Sequence, residues 1–203
     1  MIEEFLKLAF IFFYAVILHE YAHGWMADKL GDPTARKLGR LTLNPMKHVD
    51  PVGTVFLPAV LFFLNSPVIF GWAKPVPVNF LNLRHPKRDM MWVGIAGPIV
   101  NIALAVFFSQ LLKLPFSAPD IKIIQTAVVI NLVLAVFNMI PIPPLDGSRL
   151  LMGLLPNRIA IFYSRLENYG MLIVLLLLYA GLFDALVWPV VKWLAGILGV
   201  VSS

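Results

Sequence analysis

Long apolar runs, separated by short charged or proline-rich intervals, divide the chain. Residues 5–27, 90–112, 121–142 and 169–183 are nearly all apolar, the first interrupted by Lys7, His19, Glu20 and His23. A helix crosses a hydrocarbon core about 30 Å thick with roughly 20 apolar residues, and the first three runs have that length. After residue 183 an apolar tail carries Trp188, Pro189, Lys192 and Trp193, so it either crosses again or lies in the interface. The stretch 52–73 is cut by Pro58 and by Asn65-Ser66-Pro67 into pieces too short to span, which predicts a re-entrant hairpin. A full crossing is the alternative, because proline is tolerated in membrane helices. Leu38–Pro45 and Val76–Asn79 read as short extended pieces, since proline and β-branched residues disfavour helix there. Together these runs predict an all-α polytopic membrane protein with about five to six membrane segments and a short re-entrant or extended element. With no repeat and no soluble-domain pattern, residues 1–203 read as one membrane-embedded domain.

Composition agrees with that pattern. Hydrophobic residues make up 60% of the chain and charged residues 13%, against about 25% charged in soluble domains. The mean hydropathy is +0.84. A net charge of +5 comes from scattered basic residues rather than a patch, which argues against a nucleic-acid partner and for membrane topology. Arg36, Lys37, Arg40 and Lys47, then Lys74, Arg84, Lys87 and Arg88, then Arg149, Arg158 and Arg165 place segments 31–51, 74–89 and 147–168 on the cytoplasmic side. A secretory signal is the competing reading of the first run, but Glu3 and Glu4 at its start and the lack of a small-residue cleavage site oppose it. The absence of cysteine excludes disulfides, thiolate metal sites and a thiol nucleophile.

The chemistry lies inside the first run. His19-Glu20-Tyr21-Ala22-His23 is H-E-x-x-H, whose i, i+4 spacing puts both imidazoles on one helix face with a glutamate beside them. Three ionisable groups within five residues of a membrane span are costly unless paired or metal-bound. The bland alternative is a polar cluster at a helix end. A catalytic zinc needs a third protein ligand. Met26 and Lys29 stand where a metzincin has Gly and His, and every acid between Asp28 and Asp120 is an Asp in a polar loop. His48 and His85 are loop residues beside Lys47 and Pro86 and read as binding nothing. Asp146 remains, in Asn138-Met139-Ile140-Pro141-Ile142-Pro143-Pro144-Leu145-Asp146-Gly147, where prolines break the helix and free backbone groups that need a protein-lined or wet cavity. Its bland alternative is a cap of the next helix.

These residues resemble the site-2 protease family of intramembrane zinc metalloproteases. The resemblance rests on His19-Glu20-x-x-His23 and on N-x-x-P-x-P-x-L-D-G at Asn138, Pro141, Pro143, Leu145, Asp146 and Gly147. Gly31-Asp32, Gly39–Pro45, Gly71–Asn79 and Ala96-Gly97-Pro98-Ile99-Val100-Asn101 add family-like pieces. The resemblance implies that His19, His23 and Asp146 bind Zn2+, that Glu20 is the catalytic base, that Asn138 contacts substrate, and that Gly71–Asn79 lines the access path. Segment 113–120 is too short for the PDZ domain of several relatives, so the chain resembles the compact bacterial members.

Asn101 sits in a membrane run and needs a partner; helix packing and a substrate-binding role are both open for it. Gly94 and Gly97 read as close-packing residues, and Tyr163, Arg165 and Glu167 as a solvated loop. The expected activity is hydrolysis of peptide bonds in the spans of single-span membrane protein substrates, by a multi-pass protein of the cell membrane whose site faces the cytoplasmic side of the lipid bilayer. Ion or proton transport through intramembrane His, Glu and Asp is the rival reading.

Overall fold

The computed structural model describes residues 2–64 and 73–200. Helix α1 (Ile2–Lys29) is followed by the short α2 (Thr34–Lys37) and by α3 (Leu57–Phe63), which continues from a wider-turned helical stretch, Pro51–Phe56. Then come α4 (Pro86–Leu111), α5 (Ala118–Asn138), α6 (Asp146–Leu154), α7 (Asn157–Ser164), α8 (Glu167–Tyr179) and, after Phe183–Val187, α9 (Trp188–Ile197). No strand occurs among the described residues, so the fold is all-α as expected.

Local chemistry sets the helix ends. Pro86 opens α4 at the position where a missing N–H costs nothing, and Asp89 Oδ2 accepts the His85 N–H at 2.8 Å, as a capping-box acid does. Helix α5 ends at Asn138 because Pro141, Pro143 and Pro144 cannot continue it.

Helices α1, α4 and α5 are long and apolar enough to cross a membrane. Helices α7 and α8 reach that length only as a pair bent by 68°, so the described residues supply three spans, or four if the bent pair is one. The expected five to six segments therefore do not emerge. The apolar run 169–183 is not one continuous helix: α8 has only 13 residues, Glu167–Tyr179, and stops before Gly181, held at φ +87°. Apolar composition persists through that break, but the helix does not. Of the expected re-entrant hairpin, Pro51–Phe63 is helical, whereas residues 65–72, including Asn65-Ser66-Pro67 and Gly71-Trp72, lie outside the described residues. Segment 73–79 is irregular, and no ladder forms on it among the described residues.

Helix α4 packs against α1, α5 and α6, and α5 packs in turn against α9. Between lipid-facing helices, close approach at small residues replaces the hydrophobic drive. A Cβ placed on Gly94 would stand 2.8 Å from Arg149 Cβ in α6, and one on Gly153 would stand 2.0 Å from Met91 Cγ in α4. The α5–α9 contact is instead an apolar cluster that includes Val128, Leu132, Val187 and Val191. Phe10, Phe107, Leu172, Leu176 and Trp193 point outward, where lipid is the solvent.

One end of the bundle gathers the polar segments. The Arg84 N–H donates to Leu30 O at 3.0 Å, and Lys87 Nζ donates to Asn157 Oδ1 at 3.1 Å. Asp32, fully buried just beyond α1, accepts the Asn79 N–H at 2.7 Å and Asn82 Nδ2 at 2.9 Å, together with the backbone N–H and hydroxyl of Thr34. Burial pushes the Asp32 carboxyl up, but these hydrogen bonds, from Thr34, Asn82 and the Asn79 and Thr34 amides, hold it below its ordinary value. Segment 73–84 is thereby strapped to the end of α1.

Candidate metal centre

His19 and His23 face α4 from within α1, ten and six residues before its last residue, Lys29, or roughly 15 and 9 Å along the helix axis. They meet α4 where Gly97 leaves room: a Cβ there would lie 2.5 Å from His23 Nε2 and 2.6 Å from His19 Nε2. Asp146 arrives from the opposite side, as the first residue of α6 after the proline-rich turn. Tyr163 Oη donates to Pro141 O at 2.5 Å, and a Cβ on Gly170 would stand 2.3 Å from Pro143 O, so α7 and α8 brace that turn. Glu167 pairs with Arg149, which makes Tyr163 and Glu167 structural ties rather than a free solvated loop.

The hydrogen bonds fix which ring nitrogens carry protons. His19 Nδ1 lies 2.6 Å from Asn101 Oδ1, and His23 Nδ1 lies 2.6 Å from Val93 O. Both oxygens can only accept, so each neutral imidazole is protonated at Nδ1 and presents a bare lone pair at Nε2. These two atoms are 3.1 Å apart, and Asp146 Oδ2 lies 3.0 Å from the first and 3.2 Å from the second. Asp146 Oδ2 is buried with no hydrogen-bond donor. With both rings neutral, three acceptors converge with no proton among them, an arrangement that repels itself unless a cation sits between. Tetrahedral zinc with bonds near 2.0–2.1 Å would hold neighbouring ligand atoms about 3.3 Å apart, close to the spacings seen. Among the described residues His19, His23 and Asp146 form a three-residue group able to hold a metal ion, and two imidazoles with one carboxylate suit zinc. The three residues that the sequence suggested as ligands are brought together.

Glu20 is half-buried beside them, and its Oε2 accepts the Val76 N–H at 2.8 Å. Val76 is itself buried, with Cγ1 only 2.6 Å from where a Cβ on Gly24 would stand. Asn138 is half-buried at the end of α5 and donates to Leu134 O at 2.9 Å. Asn101 is not open to a substrate. It is fully buried behind His19, and its Nδ2 donates to Ala15 O at 3.3 Å and to Asn131 Oδ1 at 2.9 Å, so both of its N–H groups are spent inside the bundle. These contacts are those of a packing residue, the first of the two roles open to Asn101. Asn131 was not singled out in the sequence, although a lone Asn in an apolar run was the available signal. His48 is buried in its loop, with Nε2 2.8 Å from Thr42 O, away from the three-residue group.

Comparison with known proteins supports the same identification. The family model described as peptidase family M50 matches residues 116–181. YwhC of Bacillus subtilis, whose name describes a zinc metalloprotease, is 37% identical over 185 residues, covering 86% of this chain and 81% of YwhC. Rip2 of Mycobacterium tuberculosis, named likewise, is 28% identical over 190 residues, covering 92% of this chain and 71% of Rip2. The zinc metalloprotease MJ0392 of Methanocaldococcus jannaschii is 25% identical over 182 residues, which cover 87% of this chain and 43% of that protein. No solved structure matches the chain significantly. With spanning helices around the three converged side chains and a relative this similar along most of both lengths, the chain is a membrane protein that belongs to peptidase family M50, the site-2 protease family of zinc metalloproteases.

Proposed function

We propose that this protein is an intramembrane endopeptidase that hydrolyses peptide bonds in the transmembrane segments of single-span membrane proteins. The observation that carries this reading is the convergence of His19 Nε2, His23 Nε2 and Asp146 Oδ2 inside a bundle of membrane-length helices. In it, His19, His23 and Asp146 hold the zinc ion. When bound, zinc supplies Lewis acidity that brings the pKa of water toward about 7 and stabilises negative charge on the attacked carbonyl oxygen. Glu20 takes a proton from the attacking water and hands it to the leaving nitrogen, with one carboxylate oxygen steadied by the Val76 amide. Asn138, at the mouth of the proline-rich turn, holds the substrate backbone. The substrate arrives as a helix whose amides are closed in i→i−4 bonds, so its scissile segment unwinds first.

In this reading the protein is multi-pass in the cell membrane, with the site open toward the cytoplasm. The ties among Leu30, Arg84, Lys87 and Asn157 support it, because they collect the basic segments at one end of the bundle. The test is incubation of the purified protein with a membrane-spanning peptide, with and without a zinc chelator. Cleavage that the chelator abolishes and zinc restores is expected. Metal-independent ion flux in liposomes without cleavage would favour transport instead.

A further inference from the structure

Behind His19 the polar atoms form a chain with one direction. Asn131 Nδ2 donates to Ala127 O at 2.9 Å, within its own helix. That carbonyl can only accept, so the amide end of Asn131 is fixed there and its Oδ1 is turned toward α4. Oδ1 accepts Asn101 Nδ2 at 2.9 Å, which leaves Asn101 Oδ1 facing His19 Nδ1 at 2.6 Å. Asn101 and Asn131 are both fully buried, in the run of the bundle where an unpaired amide costs most. Each link therefore dictates the next, from a backbone carbonyl of α5, through a residue of α4, to a ring nitrogen in α1.

We propose that Asn131 is a positioning residue for the metal centre: it sets the orientation of the Asn101 amide and, through it, the His19 tautomer that leaves Nε2 bare. It touches neither the metal nor the substrate. Without it, Asn101 keeps only the longer 3.3 Å bond to Ala15 O as an anchor. The amide can then turn and present Nδ2 to His19, which would require a bare Nδ1 and place the proton on Nε2, where the metal must bind. Partners of this kind typically contribute 10–100-fold to metal affinity. The inference rests on His19 being a zinc ligand.

The experiment measures zinc affinity by competition with a chromophoric chelator in detergent, for the intact protein and for Asn131→Leu, Asn131→Asp and His19→Ala. Melting curves of the metal-free forms accompany it. Asn131→Leu is expected to bind zinc about 10–100-fold more weakly. Asn131→Asp, which keeps an oxygen facing Asn101, should recover most of the loss. A purely structural role would lower the melting temperature of Asn131→Leu and leave the zinc affinity of its folded fraction unchanged, and that result overturns the inference. Equal weakening in Asn131→Leu and Asn131→Asp overturns it too, because the acceptor oxygen would then be irrelevant. If His19→Ala binds zinc as tightly as the intact protein, the assignment of His19 as a ligand fails instead, a result distinguishable from failure of Asn131 alone.

Discussion

The backbone N–H of Val76 donates to Glu20 Oε2 at 2.8 Å, tying the strap beyond the first loops to the acid beside the two histidines. A hydrogen bond to a carboxylate is charge-assisted and stronger than a neutral one, so it restrains one oxygen of Glu20 well. The strap reaches that position because Gly24, one turn along α1 from Glu20, has no side chain to hold Val76 away.

Gly24→Leu is therefore expected to lift Val76 from α1 and release Glu20. Overpacking of this kind costs about 1–3 kcal/mol, and if most of it falls on Glu20 placement, cleavage drops roughly tenfold or more. The zinc content should stay at the wild-type level, because Gly24 faces Val76, Ala35 and Leu41 rather than the metal group. Unchanged cleavage in this variant would show that the strap does not hold the base.

Gly97→Ala should have the opposite signature. Its added methyl would fall within 2.6 Å of Nε2 in both histidines, in the space where their lone pairs meet. Loss of zinc together with loss of activity is expected, read by metal analysis of the purified variant. Full zinc occupancy in Gly97→Ala would mean that α1 and α4 separate more easily than their packing implies.

Asp32 links stability to pH. Its carboxyl titrates below its unfolded value, near 3.9, so its contribution is complete above that value and is lost as pH falls through the lower folded one. Asp32→Asn replaces one acceptor oxygen by an NH2 group that faces existing donors, a cost of about 1–3 kcal/mol, or some 2–4 °C in melting temperature per kcal/mol. The gap between variant and wild type should be largest near pH 7 and should narrow toward pH 3. A gap that is constant across that range would contradict the ionised clamp.

The fold and the site differ in how much of each could be read from the sequence. The i, i+4 spacing of His19 and His23 is a local property of one helix, and Asp146 stood out because prolines isolate it at the end of an apolar run. The partners of Asn101 were not legible, because Asn131 lies 30 residues away in another helix and only packing brings them together. The described residues supply fewer spans than the apolar runs suggested, because apolar composition continues across Gly181 where the helix stops, and because α7 and α8 meet at a 68° bend. Hydropathy measures burial in lipid, not helix continuity.

The expected topology follows from the basic segments. Lys37, Lys87 and Arg158 are exposed, and cysteines placed there should all resist an impermeant thiol reagent added outside intact cells. Labelling at Lys37 would invert the arrangement. Labelling at Lys87 alone would mean that the stretch 52–73 crosses the membrane.

Zinc content and cleavage measured side by side in Glu20→Gln and Asp146→Ala test the central assignment most directly. Gln keeps the size of Glu20 but cannot accept the proton, so Glu20→Gln should retain zinc while turnover falls by a factor of roughly 10² or more. Asp146→Ala removes one of three converging ligands and should lose both zinc and activity. Loss of zinc from Glu20→Gln, with metal and activity both kept in Asp146→Ala, would make Glu20 a ligand and Asp146 a bystander, and would contradict the mechanism.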